Sequence, residues 1–280
     1  MSGTLYLCAT PIGNLSDVSV RCLEILNEAD LIACEDTRRT LGLLNHFDIH
    51  KPLTSYHEHN KKEKGGYITG LLKEGKNIVL VSDAGTPAIS DPGEDLVCLC
   101  IEEGINVTSI PGPVAAINAL ILSGLPTKRF AFEGFLSVNN RHRKEHLANV
   151  KNDTRTLIVY EAPHKLKSTL SDMASAFGED RRIALARELT KVHEEILRMT
   201  IGEAVSYYSE NNPRGEYVLI IEGATVKGNS AEDEWWQGLE IDEHIDRYIE
   251  QGIDKKEAIK LCAKDRNMQK REVYNIYNKD

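Results

Sequence analysis

Short apolar runs and longer amphipathic stretches alternate through the first half of the chain. Residues 5–9, 31–34, 78–81 and 107–110 are apolar runs of strand length, and a further short element covers Leu53-Thr54-Ser55. Between them, residues 20–27, 66–74 and 95–103 repeat apolar side chains at helical spacing, as with Val20, Leu23 and Leu26. Strand-length runs separated by helix-length amphipathic segments predict βαβ units and a largely parallel sheet.

After Gly124-Leu125-Pro126 a second series begins, with strands expected over 129–135, 156–160, 182–186 and 217–221 and amphipathic helices over 143–151 and 165–177. Some of its connections are too short for a parallel crossover, which predicts antiparallel pairs in a second α/β domain. A polar stretch holding Lys227-Gly228-Asn229-Ser230 follows. Beyond it Ile241, Ile245, Tyr248 and Ile249 share one helical face, and Ala258, Ile259 and Cys262, then Val273 and Ile276, mark two more helices. The expected organisation is an N-terminal α/β domain over 1–124, a second over 125–224, a linker over 225–237 and a small helix-turn-helix-like module over 238–280.

Composition narrows what such a molecule does. A chain of 280 residues with 41% hydrophobic and 28% charged side chains is long enough for two cores and ordinary in globular content. No apolar run reaches membrane-spanning length, and Met1-Ser2-Gly3-Thr4 lacks the shape of a signal peptide, so a cytoplasmic protein without a membrane partner is expected. The six cysteines form no CxxC or Cys/His ligand spacing and sit mostly in apolar stretches, as reduced core residues do. The net charge of −9 excludes indiscriminate nucleic-acid binding, because that affinity comes from Lys and Arg neutralising phosphates. Any RNA contact must use local patches such as Arg38 and Arg39, Lys128 and Arg129, 141–144, or the tail lysines Lys255, Lys256, Lys260 and Lys264 with Lys270 and Arg271.

Open parallel sheets bind ligands outside the carboxyl ends of their strands. Here those ends are rich in turn and polar residues: Thr10-Pro11-Ile12-Gly13-Asn14-Leu15, Glu35-Asp36-Thr37-Arg38-Arg39, Tyr56-His57-Glu58-His59-Asn60, the long loop 82–93, and Pro111-Gly112-Pro113. Any one of them would serve simply to turn the chain, but five together mark a ligand edge. None matches GxGxxG or GxxxxGK[ST], which disfavours a dinucleotide site or a P-loop. His57-Glu58-His59 offers two possible metal ligands without a matching third, so no metal is expected.

In their order and spacing these segments resemble the tetrapyrrole-methylase superfamily, in the branch that methylates ribosomal RNA. The likeness continues through Phe132-Glu133-Gly134-Phe135, Glu161-Ala162-Pro163-His164, Ala186-Arg187-Glu188-Leu189-Thr190-Lys191 and Arg214-Gly215-Glu216. It implies two α/β domains with the methyl donor, S-adenosylmethionine, in the cleft between them, a homodimer, and 2′-O-methylation of a cytidine in the decoding region of 16S rRNA within the small ribosomal subunit. Carried onto this sequence, donor contacts come from Pro11, Asp83, Ala84, Gly85, Ala88, Ile89, Val114 and Ala115, and from Glu161, Ala162 and Leu189 in the second domain. A weakly acidic 2′-hydroxyl calls for a base and a nearby cation. His57 or Glu58 is the expected base, Arg38 the electrostatic or phosphate-positioning group, and Asn14 the residue that orients the ribose. Two rivals predict different features: a tetrapyrrole acceptor requires an open, apolar-walled cleft, and a ligand-sensing protein with a DNA-binding tail requires a basic recognition helix.

Overall fold

In the computed structural model, residues 2–225 and 235–278 are described. Two compact units divide the chain, Met1–Ala224 and Thr225–Asp280.

The first unit holds two five-stranded sheets. Strands β1 (Thr4–Cys8), β2 (Leu31–Cys34), β3 (Leu53–Ser55), β4 (Ile78–Val81) and β5 (Asn106–Ile110) pair in the order β3-β2-β4-β1-β5, with every pair parallel. Parallel strands are covered on both faces, and β2 and β4 are accordingly buried at every position. Alternation sorts their side chains: Leu31, Ala33, Ile78 and Leu80 pack with Ile68 and Leu72 of α3 (Lys61–Lys73) and Leu96 of α4 (Gly93–Glu102). Ile32, Cys34, Val79 and Val81 pack on the other face with Cys22 and Leu26 of α1 (Val20–Glu28) and Leu44 of α2 (Thr37–His46). The cysteines Cys8, Cys22, Cys34 and Cys100 are free and buried in these cores.

The second sheet is mixed. Strands β6 (Phe130–Phe135), β7 (Thr156–Glu161), β8 (Arg182–Arg187), β9 (Glu195–Thr200) and β10 (Tyr217–Ile221) run in the order β6-β7-β10-β8-β9. β6 and β7 are parallel, whereas β10 is antiparallel to β7 and β8, and β8 to β9. One face is covered by α6 (Asn140–Val150), α7 (Pro163–Phe177) and α8 (Ile201–Glu210), through Leu147, Leu166, Leu170, Met173, Ile201 and Ala204. The other is covered by α5 (Ala115–Ser123), a helix that leaves the first sheet and lays Ala116, Ala119 and Leu120 on Ile158, Ala184, Val218 and Ile220. One nearly all-apolar helix therefore ties the two halves together. It stops at Gly124, where φ of +76° suits a residue without a side chain.

Two parts of this half are not announced by the apolar pattern. β9 carries Glu195 and Arg198 on an edge, and α8, which a Thr200–Glu203 capping box starts, follows it without a break. α2 likewise begins within a segment whose polarity reads as loop.

The second unit packs α9 (Ile241–Glu250), α10 (Lys255–Asp265) and α11 (Lys270–Tyr277) around Ile245, Ala258, Ile259, Cys262 and Val273. His244 is buried among them, with Arg266 Nε donating to its Nδ1 at 3.1 Å and the Trp235 ring centroid 4.8 Å away. Most of the linker expected over 225–237 lies outside the described residues.

Candidate functional site

A cavity of about 450 Å³ opens at the edge where both sheets of the first unit present strand ends. From the first sheet it takes Ile12, Glu35 after β2, Arg39 at the start of α2, Ser82 to Thr86 and Ile89 to Asp91 after β4, and Val114 and Ala115 ahead of α5. From the second it takes Phe135, Tyr160 to Pro163 at the end of β7, Ala186, Glu188, Leu189 and Lys191 around the end of β8, and Glu216 to Val218 at the start of β10. Because β10 runs against its neighbours, its first residues share the edge with the last residues of β7 and β8.

The loops that shape the cavity are held in strained backbone. Ala88 and Ser90 have φ of 66° and 63°, and Glu188 and Thr190 have 51° and 64°. Left-handed conformations at residues with a Cβ cost on the order of 1–3 kcal/mol each and persist only where surrounding contacts enforce them. Asp91 supplies such contacts: its Oδ1 accepts from Ala88 N at 3.0 Å and Gly93 N at 2.7 Å. Gly85, at φ +82°, exchanges two backbone hydrogen bonds with Thr10, of 2.8 and 3.1 Å, and so fastens the β1 exit to the β4 loop. Across the seam between the halves, Asn14 N donates to Thr190 Oγ1 at 3.1 Å, and a Cβ on Gly13 would stand 2.8 Å from the Leu189 carbonyl oxygen. Only glycine allows that approach.

The charges are arranged unequally. On the first-sheet side, Asp83 accepts from Asp36 N at 3.0 Å and pairs with Arg39 Nη1 at 3.2 Å. Partial burial first, and then the Asp83 and Asp91 carboxylates, push the Glu35 carboxyl above its ordinary value, against the pull of Arg39 and His57. On the second-sheet side the ions neutralise one another. Buried Glu161 accepts from Thr169 Oγ1 at 2.5 Å and Ala162 N at 2.9 Å and pairs with Lys165 at 3.0 Å. Lys191 bridges Glu188 at 2.9 Å and Glu216 at 3.0 Å. Burial alone would raise Glu188, but Lys191 and the backbone N–H of Glu216 outweigh it and hold the carboxyl low. Tyr160 Oη accepts from Ala116 N at 3.2 Å, tying the first turn of α5 to β7.

Of the residues expected to contact a donor, Asp83, Ala84, Gly85, Ile89, Val114, Ala115, Glu161, Ala162 and Leu189 line this cavity. Pro11 lines a smaller adjoining one of about 280 Å³ with Gly13, Arg39 and Asp83, and Ala88 sits behind the wall on Asp91. The residues expected to carry the chemistry are not on the wall. Arg38 lies with its side chain 90% exposed and turned back onto Asp36 at 3.1 Å. Glu58 is paired with Lys61 at 2.8 Å, which also holds Asp95. His57 is fixed by Asn60, whose Oδ1 accepts from His57 N at 2.8 Å, and Asn14 caps a short 3-10 turn by accepting from Ser16 N. Arg39, Glu35, Asp91 and Tyr160 occupy the wall instead, without having been singled out for a role there. Among the described residues, no three His, Cys, Asp or Glu side chains group as a metal site.

Comparison with known proteins places this architecture. Residues 4–205 match the family model for Tetrapyrrole (Corrin/Porphyrin) Methylases. The chain is 52% identical over 278 residues to ribosomal RNA small subunit methyltransferase I of Halalkalibacterium halodurans, covering 99% of this chain and 96% of that protein. It is 48% identical to the protein of the same name from Bacillus subtilis, covering 99% and 94%. Among solved structures, cobalt precorrin-4 methyltransferase aligns with a TM-score of 0.59 at 18% identity, covering 78% of this chain and 94% of that one. Uroporphyrin-III C-methyl transferase from Thermus thermophilus, complexed with S-adenyl homocysteine, aligns at 0.56 and 17%, covering 79% and 97%. The two-sheet fold expected from the sequence is thus the fold these enzymes share.

Proposed function

The chain belongs to the ribosomal RNA small subunit methyltransferase I family of the tetrapyrrole methylases, and from that membership we propose that it uses S-adenosylmethionine to methylate the 2′-oxygen of a cytidine in the decoding region of 16S rRNA. The observation that carries this reading is the match to rRNA methyltransferases along nearly the whole chain, C-terminal helices included.

The residues present fit such a donor. The cavity falls in the size range of small-molecule sites and combines apolar walls (Ile12, Ile89, Val114, Leu189, Val218) with a few convergent polar groups. Asp83 and Asp91 present negative charge suited to a sulfonium and an ammonium. α5 and α7 both start at this wall, and although Ala116 N is held by Tyr160 and Pro163 has no N–H, the positive ends of the two helix dipoles suit a carboxylate. When bound, S-adenosylmethionine supplies an electrophilic methyl group on a positively charged sulfur.

The chain's own contribution is alignment and exclusion of water, the main requirements of an in-line displacement. Gly13 and Gly85 let backbone close on the cavity from the first half, while Leu189 and Ala162 close it from the second. At the rim, Phe135 is exposed, packs edge-on against Tyr160 at 5.4 Å and lies under Lys165 Nζ at 5.8 Å. An exposed aromatic beside a cation is the platform on which an unstacked base settles. Arg38, free in solvent apart from Asp36, is assigned to RNA phosphate contact rather than to the reacting atoms. His57 and Glu58 are assigned to holding the loop beside Glu35, and Asn14 to holding the seam to Thr190. The basic residues of α10 and α11, including Lys260, Lys264 and Lys270, add a second place for phosphate.

A homodimer and a cytoplasmic location complete the proposal. Ile117 and Ile121 of α5 are exposed on the side away from the second sheet, as a face that packs against another copy would be, and no described helix is long and apolar enough to cross a membrane. The test is transfer of radiolabelled methyl from S-adenosylmethionine to small ribosomal subunits lacking their modifications, to naked 16S rRNA and to a porphyrin precursor, followed by nucleoside mapping. Label on a cytidine 2′-oxygen is expected. Label on the porphyrin precursor alone would replace this reading with the tetrapyrrole one.

A further inference from the structure

Six carboxylates line the cavity, and five are already committed. Asp83 is held by Asp36 N and Arg39. Asp91 spends Oδ1 on Ala88 N and Gly93 N, and its Oδ2 is enclosed by protein without a partner. Glu161 is saturated by Thr169, Ala162 N and Lys165. Glu188 and Glu216 share Lys191. Glu35, at the exit of β2, makes no side-chain hydrogen bond or ion pair among the described residues, yet it is on the cavity wall and open to solvent. Its carboxylate is the one whose two oxygens remain available to something that enters.

The geometry points to Glu35 as the general base that takes the proton from the acceptor hydroxyl, an assignment that rests on the methyl-transfer reading above. In the step, the acceptor O–H bond breaks and its proton passes to a Glu35 oxygen. The electron pair left on the acceptor oxygen forms the new O–C bond, and the C–S pair stays with sulfur, which departs as a neutral thioether. Every atom and charge is accounted for by the donor, the acceptor and Glu35.

The surroundings suit the task. A carboxylate of ordinary basicity is a weak acceptor for a ribose proton, and efficiency improves as the base's pKa approaches the working pH. The groups facing Glu35 act in both directions: partial burial, Asp83 and Asp91 raise its carboxyl, and Arg39 and His57 lower it, with a net rise. His57 is oriented so that Asn60 Nδ2 stands 3.3 Å from its Nε2, while its Nδ1 is enclosed and has no partner. Arg39, one helical turn beyond Glu35, is the cavity's cation on the same side and is positioned to steady developing alkoxide charge. Because the base works deprotonated, activity should rise with pH through the raised Glu35 titration and lose that acid limb when the carboxyl is removed.

The experiment compares wild type with Glu35→Gln and Glu35→Asp. Three quantities are measured: S-adenosylmethionine affinity by calorimetry, methyl transfer to small ribosomal subunits across pH, and carboxyl titration by ¹³C NMR of glutamate-labelled protein without donor. For Glu35→Gln, a kcat loss on the order of 100-fold or more is expected, with donor affinity changed by less than about threefold and no acid limb. Glu35→Asp should keep the limb and part of the rate, and wild type should show a carboxyl resonance titrating above the ordinary glutamate value that Glu35→Gln lacks. Wild-type kcat in Glu35→Gln would overturn the assignment, as would a loss of donor affinity in step with kcat, or the absence of an elevated titration. If wild type itself places no label on a ribose oxygen, the methyl-transfer reading falls and this assignment with it. Equal labelling by wild type and Glu35→Gln removes the assignment alone.

Discussion

The two sheets contribute unlike things to one cavity. The first brings one carboxylate without a partner, Glu35, beside Asp83, which a backbone N–H and an exposed arginine share, and Asp91, whose second oxygen is enclosed and unmatched. The second brings charges that cancel locally, in the Glu161–Thr169–Lys165 and Glu188–Lys191–Glu216 groups, together with the apolar wall from Ala186, Leu189 and Val218. Unspent electrostatics mark where chemistry happens, whereas satisfied networks mark where a ligand is held, because only groups not already paired have free energy to give to a reaction. On this account, changes in the first half cost rate or binding with little stability, and changes in the second cost stability first.

The largest stability effect should therefore lie in the second half. Arg143 and Asp172, with side chains 7% and 12% exposed, make a two-pronged pair of 2.7 and 2.6 Å between α6 and α7. Asp172→Ala strands a buried guanidinium, which costs about 3–5 kcal/mol when one partner of such a pair is removed. Chemical denaturation should show that loss, while donor affinity of the remaining folded protein stays near wild type. Parity of this effect with that of Glu35→Gln on stability would erase the distinction between the halves.

The seam comes next. Gly13→Ala sets a Cβ against the Leu189 carbonyl oxygen and Thr190 Oγ1, an overpacking worth about 1–3 kcal/mol. Since those atoms belong to a cavity loop, donor affinity should fall by roughly the same free energy, about fivefold to 150-fold in Kd, which calorimetry would read. The smallest effect on stability is expected for Arg39→Met. Its pair with Asp83 is two-thirds exposed on the arginine side, so unfolding free energy should change by less than about 1 kcal/mol. Methyl transfer should nevertheless slow by about tenfold, the amount expected when a single electrostatic contact worth about 1.4 kcal/mol is lost. A stability loss without a rate loss would place Arg39 with the structural ions.

The same contrast explains what could be read in advance. A wholly parallel sheet obeys one rule, that ligands meet the carboxyl ends of strands, and the exits of β4 and β5 were legible from it: Asp83, Gly85, Ile89, Val114 and Ala115 all reach the wall. In the mixed sheet the rule misleads, because β10 brings its first residues to that edge. Glu216 and Tyr217 precede or open a strand, and nothing in their local sequence tells its direction.

Helical phase hid a second part. Glu35 to Arg39 reads as a polar loop, but α2 starts at Thr37, capped by Asp36. Successive residues on a helix diverge by about 100°, so Arg38 turns back to solvent and Arg39 enters the cavity. His57 to Asn60 is polar for a local reason, since Asn60 closes the turn on His57 N and on the Ser55 carbonyl. β9 and α8 went unread because an edge strand with Glu195 and Arg198 lacks the apolar run by which buried strands are recognised.

The most direct test of the account is whether this cavity is where the donor sits. Ala115 lines it in the first turn of α5. Ala115→Phe fills part of the space. Calorimetry with S-adenosylmethionine should give a single site per chain in wild type and a loss of at least about 100-fold in affinity, roughly 2.7 kcal/mol, in a variant whose melting temperature is close to wild type. Undiminished binding in Ala115→Phe would contradict the assignment of the cavity and, with it, the division of labour between the two sheets.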